Sequence, residues 1–137
     1  LDLAAVGGHP DVAALATMHG HKTGALIRAA ARLGGLVAVA EEDPRLAALD
    51  AYARAIGLAF QIHDDVLDVT GDTATLGKAS GADAARDKPT YPTLLGLAGA
   101  RARAAALVEE AVAAVAPLGE AGLPLAVLAR YMIERDH

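Results

Sequence analysis

The residues of this chain best suited to chemistry are three carboxylates and an amide near its middle. They lie in the run Gln61-Ile62-His63-Asp64-Asp65-Val66-Leu67-Asp68, at the end of an apolar-periodic segment that we predict to be a helix over residues 44–71. On a helix, Asp64 and Asp68 are one turn apart, and Gln61 precedes Asp64 and Asp65 by three and four residues, so its amide shares their face. Like charges at this spacing repel one another, and the carbonyl groups of the predicted helix end add partial negative charge.

Two interpretations of this acidic cluster compete: a solvated helix end and a metal site. The neighbouring residues are almost all apolar, so we expect the helix to be largely enclosed. Part-buried carboxylates without partners would take up protons. Clustered oxygen ligands without a cysteine suit Mg²⁺, with Mn²⁺ as the alternative, better than zinc. We therefore favour metal binding by Asp64, Asp65 and Asp68.

A second cluster, His19-Gly20-His21-Lys22-Thr23-Gly24, carries groups that suit a phosphate. Lys22 and Thr23 together offer an ammonium group and a hydroxyl to phosphate oxygens. Lys22 precedes an apolar stretch, where an unpaired charge would be costly. The two histidines are two residues apart and point different ways on a helix, so we predict structural roles for them rather than metal binding.

Two further lysines, Lys78 and Lys88, lie in residues 71–91, a segment rich in glycine, aspartate and threonine. About twenty residues without periodicity is long for a connection, and such loops are often lids or binding loops. Each lysine alone would be predicted as a solvated loop residue, but together they could cap anionic oxygens held by metals on the Asp cluster. A nucleophilic Ser80 is not supported because no histidine is near it in sequence, and no Walker loop is present.

Composition indicates one domain, residues 1–137, without a nucleic-acid partner. Hydrophobic residues make up 54% of the chain and the mean hydropathy is +0.33, with much of the apolar content in alanine. Since no apolar run reaches about 20 residues, we expect no membrane span, and no signal peptide pattern is present. The absence of cysteine excludes disulfides and fits a cytoplasmic protein. The net charge of −5 argues against nucleic acid.

Periodicity predicts helices throughout the chain and no strand. The predicted helices cover residues 11–40, with a kink near 20–24 or a stop near 34, then 44 to about 70, a short turn at 94–97, 100–116, and 123 to about 135. Pro44 and Asp43 are predicted as the first residue and the N-cap of the second helix. The predicted fold class is all-α.

Four motifs in this order resemble those of the trans-isoprenyl diphosphate synthases, or polyprenyl synthetases, and most nearly the bacterial farnesyl/geranyl diphosphate synthase type. They are His19-Gly20-His21-Lys22-Thr23-Gly24-Ala25-Leu26-Ile27-Arg28, Gly57-Leu58-Ala59-Phe60-Gln61-Ile62-His63-Asp64-Asp65-Val66-Leu67-Asp68, Gly71-Asp72-Thr73-Ala74-Thr75-Leu76-Gly77-Lys78 and Lys88-Pro89-Thr90-Tyr91-Pro92. The resemblance covers nearly the whole chain, and four motifs together are far more specific than an isolated Asp-Asp-x-x-Asp.

The resemblance implies the isoprenoid-synthase helical bundle, in which two Asp-rich helices face each other across an apolar cavity. It implies a Mg²⁺-dependent prenyltransferase of short-chain isoprenoid biosynthesis, which ionises an allylic diphosphate so that isopentenyl diphosphate can attack the resulting cation. The second Asp-rich motif would be Asp64, Asp65 and Asp68, with Asp64 the principal metal ligand. The residues implied to hold the allylic diphosphate are Lys22, Thr23, Gln61, Lys78 and Lys88, of which Lys22 and Lys78 would join Asp64 in catalysis.

The sequence departs from the family pattern because the first Asp-rich motif and the basic residues for isopentenyl diphosphate are missing. The ending Met132-Ile133-Glu134-Arg135-Asp136-His137 resembles the family's carboxyl end. The resemblance therefore implies the C-terminal half of such an enzyme, with the N-terminal half as its partner, in a protein that is usually a homodimer. We expect negligible turnover from this half alone.

Two other functions stay open on the sequence: a non-catalytic helical subunit of the same fold, and a terpene cyclase. The intact Asp cluster and its polar partners argue against the first. The Lys22-Thr23-Gly24 and Gly77-Lys78 motifs favour chain elongation over cyclisation. Loss of Mg²⁺-dependent diphosphate binding, even with the N-terminal half supplied, would favour the non-catalytic subunit.

Overall fold

A computed structural model describes residues 11–19, 23–75 and 89–134, and within these ranges the fold is all-helical, as predicted. The described residues form five α-helices, and a 3₁₀ segment, Ala116–Gly122, joins the last two of them. The helices are α1 (Val12–His19), α2 (Ala25–Ala38), α3 (Pro44–Thr75), α4 (Tyr91–Val115) and α5 (Leu123–Glu134).

The 32-residue helix α3 is the centre of the structure and packs against α1, α2, α4 and α5. Its most extensive partner is α4, and small side chains are buried along both helices. Alanine at these positions lets two helix axes approach closely while still burying apolar surface. The buried apolar residues of the two helices are Leu46, Tyr52, Ala53, Ala55, Ile56, Ala59, Ile62 and Val66 on α3, and Tyr91, Ala100, Ala104, Leu107, Val108, Ala111 and Val115 on α4.

Helix α3 begins where the sequence predicts and ends later. The Asp43 carboxylate accepts a hydrogen bond from the backbone N–H of Arg45 at 2.9 Å, as expected of an N-cap, and Pro44 is the first helical residue. The predicted stop at Gly71 is wrong, because the helix continues to Thr75. A single glycine inside a helix costs only about 1 kcal/mol relative to alanine, too little to end a helix of this length.

Helix α2 begins beside α3 at a point where the residue before α2 and the facing residue of α3 are both glycine. A side-chain carbon on Gly57 would lie 3.1 Å from the Cα atom of Gly24, so the two backbones are nearly in contact there. The predicted kink at residues 20–24 falls mainly on residues outside the described ranges and stays a prediction, whereas Gly24, just before α2, has helical backbone angles. The predicted stop near residue 34 is wrong. Helix α2 continues to Ala38, with Gly35 buried against α3.

An ion pair also fixes α2 on α3. The Arg28 guanidinium donates to the Asp50 carboxylate at 2.8 Å, and Arg54, one turn along α3, donates to the same group at 3.0 Å. The bond from Arg28, more than the one from Arg54, lowers the pKa of Asp50. The pair links the helix that follows Thr23 to the helix that carries the acidic cluster.

Helix α4 is broken after its first turn, at Gly96, which is earlier than the gap left between the predicted short turn at residues 94–97 and the predicted helix from residue 100. Gly96 has φ 73° and ψ 162°, a conformation outside the helical region, so the first five residues form a piece separate from the rest of α4. Further along, Gly119 has φ 60° within the 3₁₀ segment, and the Tyr52 hydroxyl donates to the carbonyl of Leu125 at 2.9 Å. That bond fastens α5 to α3.

One stretch of the described residues, Tyr91–Glu134, is long and apolar enough by length and composition to cross a membrane, with a mean hydropathy of 1.7 over its best window. Only 17% of that window is buried. The breaks at Gly96 and Gly119 divide the stretch into separate helical pieces. A single stretch of this kind is a weak indication, and the absence of a membrane span stays a prediction.

Replacing Gly57 with alanine tests the close approach of α2 and α3. The new methyl group would meet the Gly24 backbone, which cannot move aside as a flexible side chain can. We expect Gly57→Ala to lower the free energy of unfolding by about 1–3 kcal/mol. Gly71→Ala is the matched control on the same helix, since nothing lies within 4 Å of the added carbon. It should raise the free energy of unfolding in urea by up to about 1 kcal/mol. Equal effects of the two substitutions would contradict the contact.

Gly96 and Gly34 are a second matched pair of positions for substitution. They differ in backbone conformation and not in the space around an added side chain. Neither added carbon would have a neighbour within 4 Å, but Gly96 has a positive φ and Gly34 lies inside α2. Gly96→Ala should lower the free energy of unfolding by about 1–3 kcal/mol because alanine is strained in this backbone region. Gly34→Ala should raise it by up to about 1 kcal/mol. Thermal unfolding of the two variants measures both, and a neutral Gly96→Ala would show that the break in α4 is not required.

Candidate functional site

A row of four positions along one face of α3 carries most of the predicted site. Gly57, Gln61, Asp64 and Asp68 follow one another at helical spacings of four, three and four residues. Gln61 and Asp64 are half-buried and Asp68 is exposed, whereas the intervening Ile62 is fully buried in the core. The structure therefore places the predicted amide, Asp64 and Asp68 on one face, with Asp65 at its edge and the core on another.

Thr23 is brought to the start of this row by the contact between α2 and α3. Its neighbour in sequence, Gly24, packs on Gly57, which is one turn before Gln61. At 1.5 Å per residue, Gly57 and Asp64 are about 10 Å apart along the axis of α3. Thr23, which is half-buried, therefore lies next to the contact at the start of the acidic row, although the two are far apart in sequence.

Asp65 occupies a different position from its two acidic neighbours. One of its oxygens, Oδ2, accepts a hydrogen bond from the backbone N–H of Tyr91 at 3.1 Å, at the first residue of α4. The Tyr91 ring is buried, and burial raises the pKa of its phenol, with the nearby Asp65 carboxylate adding to the shift. Asp65 therefore connects α3 to the start of α4.

The start of α4 has a capping box that the sequence analysis missed. The Thr93 N–H donates to the Thr90 hydroxyl at 3.4 Å, and the Thr90 N–H donates to the Thr93 hydroxyl at 2.9 Å. The pattern of threonine, proline and threonine at residues 90, 92 and 93 was the available signal, because a hydroxyl residue at the N-cap with proline in the first turn is typical of a helix start.

The donor set of the row fits a hard divalent cation held partly by a ligand. Among residues 11–19, 23–75 and 89–134, no group of three or more histidine, cysteine, aspartate or glutamate side chains forms a metal-binding cluster. Mg²⁺ commonly takes only one or two carboxylates from the protein and completes its shell with water and substrate phosphates. Asp64 and Asp68, one turn apart, are such a pair.

The electrostatic argument from the helix end needs correction. Since α3 continues to Thr75, Asp64 and Asp68 lie eleven and seven residues before its last residue. The partial charge of a helix terminus falls off within the last turn, so it adds little repulsion at either carboxylate. The repulsion between the carboxylates themselves is unaffected by this correction.

The remaining predicted residues lie outside the described part of the chain. These are Lys22, Lys78 and Lys88, together with His21 and most of the segment predicted as a binding loop. Their roles stay predictions.

A cavity of about 410 Å³ opens on another face of α3, beside α4 and α5. It was not predicted from the sequence, although its α3 residues recur at helical spacing. Its lining consists of His63, Val66, Leu67, Thr70, Arg101, Ala104 and Ile133.

Comparison with known proteins shows relatives over the whole chain. The family model described as polyprenyl synthetase matches residues 2–118. Farnesyl diphosphate synthase of Escherichia coli (strain K12) is 52% identical over 139 residues, which cover 99% of this chain and 46% of that protein. Dimethylallyltranstransferase of Fischerella ambigua (strain UTEX 1903) is 48% identical over 127 residues, covering 93% of this chain and 36% of the relative.

A solved structure gives the same result for the fold. The chain matches a protein from Marinomonas sp. MED121, provisionally assigned as a farnesyl-diphosphate synthase, with a TM-score of 0.76 and 43% identity. The match covers 96% of this chain and 43% of the other. The chain thus spans less than half the length of these relatives. The extent of the family match and the identity to these synthases show that the chain belongs to the polyprenyl synthetase family.

Proposed function

We propose that this chain forms the diphosphate-binding wall of a Mg²⁺-dependent isoprenyl diphosphate synthase, which condenses an allylic diphosphate with isopentenyl diphosphate. The observation that carries the proposal is the Gly24–Gly57 contact, which joins Thr23 to the row of Gln61, Asp64 and Asp68. Hydroxyl, amide and carboxylate groups along one surface suit a ligand that carries both phosphate oxygens and a divalent cation.

The acidic motif Asp64, Asp65 and Asp68 supplies the proposed metal site, with Asp64 as the principal ligand and Asp68 as its partner. Asp64 is half-buried, so a metal bound there is partly shielded from water, whereas Asp68 is exposed at the other end of the pair. When bound, Mg²⁺ (or Mn²⁺) would supply positive charge that stabilises the departing diphosphate.

The proposed diphosphate residues are those that can donate hydrogen bonds or positive charge. The Thr23 hydroxyl and the Gln61 amide N–H groups donate to phosphate oxygens at the start of the row. Lys22, Lys78 and Lys88 add ammonium groups, as the family pattern implies, and Lys22 and Lys78 are proposed to act in catalysis. Fixed donors stabilise a leaving group best as its negative charge develops.

The proposed reaction exchanges one bond for another. The allylic carbon–oxygen bond breaks and its electron pair leaves with the diphosphate. The alkene of isopentenyl diphosphate then forms the new carbon–carbon bond, and transfer of a proton to the released diphosphate restores the double bond. We propose that the isopentenyl diphosphate site and the first Asp-rich motif are supplied by an N-terminal half, and that the complete enzyme is a homodimer.

Asp64→Ala in the complete enzyme, assembled from both halves, tests the proposal. Loss of the principal carboxylate should lower kcat by roughly 10²-fold or more, as removal of a group that stabilises developing charge does. It should also raise the Mg²⁺ concentration required for half-maximal rate. Condensation of radiolabelled isopentenyl diphosphate with geranyl diphosphate measures both quantities.

Glu42→Ala is the control, since this exposed carboxylate lies in the turn before α3 and away from the row. It should leave both the rate and the magnesium requirement unchanged. An Asp64→Ala enzyme with wild-type rate and magnesium dependence would contradict the proposal. So would rapid condensation by the 137-residue chain alone, which we expect to show negligible turnover.

A further inference from the structure

Asp65 lies at the edge of the acidic row on α3. It is rotated by about 100° from Asp64 but by only about 60° from Asp68, three residues further on, so it is the carboxylate at one side of the row. Its Oδ2 atom lies 3.1 Å from the backbone nitrogen of Tyr91, in a part-buried contact. The middle carboxylate of the motif therefore faces α4.

The backbone donors at the start of α4 account for this contact. The first turn of a helix leaves N–H groups without helical partners. Thr93 gives its N–H to the Thr90 hydroxyl, Pro92 has none, and Leu94 gives its N–H to the Thr90 carbonyl at 3.1 Å. The Tyr91 N–H is the one first-turn donor whose acceptor in the described chain, Asp65, comes from another helix.

The break at Gly96 makes this contact more important for the position of the first piece of α4, residues 91–95. Because the backbone leaves the helical conformation there, continuity with the rest of α4 does not fix the direction of its first piece. That piece is held on α3 by the buried Tyr91 ring, which is 1% exposed, and by the bond to Asp65. A carboxylate at a helix N-terminus also gains from the aligned peptide dipoles.

We infer that Asp65 is a positioning residue, which holds the first piece of α4, residues 91–95, on α3 beside the Asp64–Asp68 pair. The inference rests on the proposed function, in which that pair holds the metal. In this arrangement Asp65 acts through its oxygen acceptor, whereas Asp64 acts through its negative charge. Within the motif, Asp64 and Asp68 bind the metal, and Asp65 positions the start of α4.

An asparagine substitution separates the two roles, because its side-chain oxygen still accepts a hydrogen bond but carries no charge. The variants are Asp65→Asn, Asp65→Ala and, for comparison, Asp64→Asn, made in the complete enzyme. The first measurement is amide hydrogen exchange of residues 89–95, followed by mass spectrometry of a peptide that covers them. The second is calorimetric binding of inorganic diphosphate in the presence of Mg²⁺.

The expected results differ between the variants. Asp65→Asn should keep exchange of residues 89–95 and diphosphate affinity within about threefold of wild type, because the bond to Tyr91 remains. Asp65→Ala should speed that exchange by about tenfold or more, since local opening then costs less, while exchange over residues 52–62 stays unchanged. Asp64→Asn should weaken diphosphate binding by about tenfold or more with normal exchange at residues 89–95.

Two results would overturn the inference. One is an Asp65→Asn protein that loses diphosphate binding as Asp64→Asn does while exchange at residues 89–95 stays normal, since Asp65 would then bind the metal itself. The other is an Asp65→Ala protein with unchanged exchange in those residues. Failure of the wild-type enzyme to bind diphosphate would instead count against the proposed function, because the exchange comparison does not require a ligand.

Discussion

The structure depends on which faces of α3 are buried against neighbouring helices and which face is open to solvent. A single helix packs against four others, so most of its circumference is committed to apolar contacts. One narrow face is left for polar side chains, and there the spacing of Gln61, Asp64 and Asp68 concentrates negative charge. Because α3 cannot rotate without exposing Ile62 and Val66, the charge cannot be moved elsewhere. Compensation has to come from groups outside the helix.

Close approach of backbones is the means by which distant parts of the sequence reach that face. Glycine at 24 and 57 brings α2 onto α3, and the Arg28–Asp50 ion pair holds the crossing about two turns away along α3. Buried alanines do the same between α3 and α4. The high alanine content of the chain thus has a direct structural role, since larger side chains at Ala59 or Ala104 would separate the helices that position the site.

Much of this could be predicted from the sequence, because periodicity, caps and breaks are local properties. The helical class, the start of α3 at Pro44 and the division of α4 into a short first piece and a longer second one follow from nearby residues, although the break lies at Gly96 and not after residue 97. The end of α3 and the length of α2 were mispredicted at Gly71 and Gly34, where glycine was given more weight than packing. The partner of Asp65 was beyond prediction, since the Tyr91 N–H is 26 residues away and carries no signal in its residue type.

The first-turn N–H groups of α4 are already hydrogen-bonded, or absent at Pro92, and this affects which anions can bind there. Helix starts commonly attract phosphate or sulfate through their unpaired backbone N–H groups. Here the Thr90–Thr93 pair, Pro92 and Asp65 occupy or remove those donors, and Asp65 adds a negative charge. Small inorganic anions therefore gain nothing by competing at this end of α4, which leaves recognition to ligands that bring their own counter-charge to the acidic face.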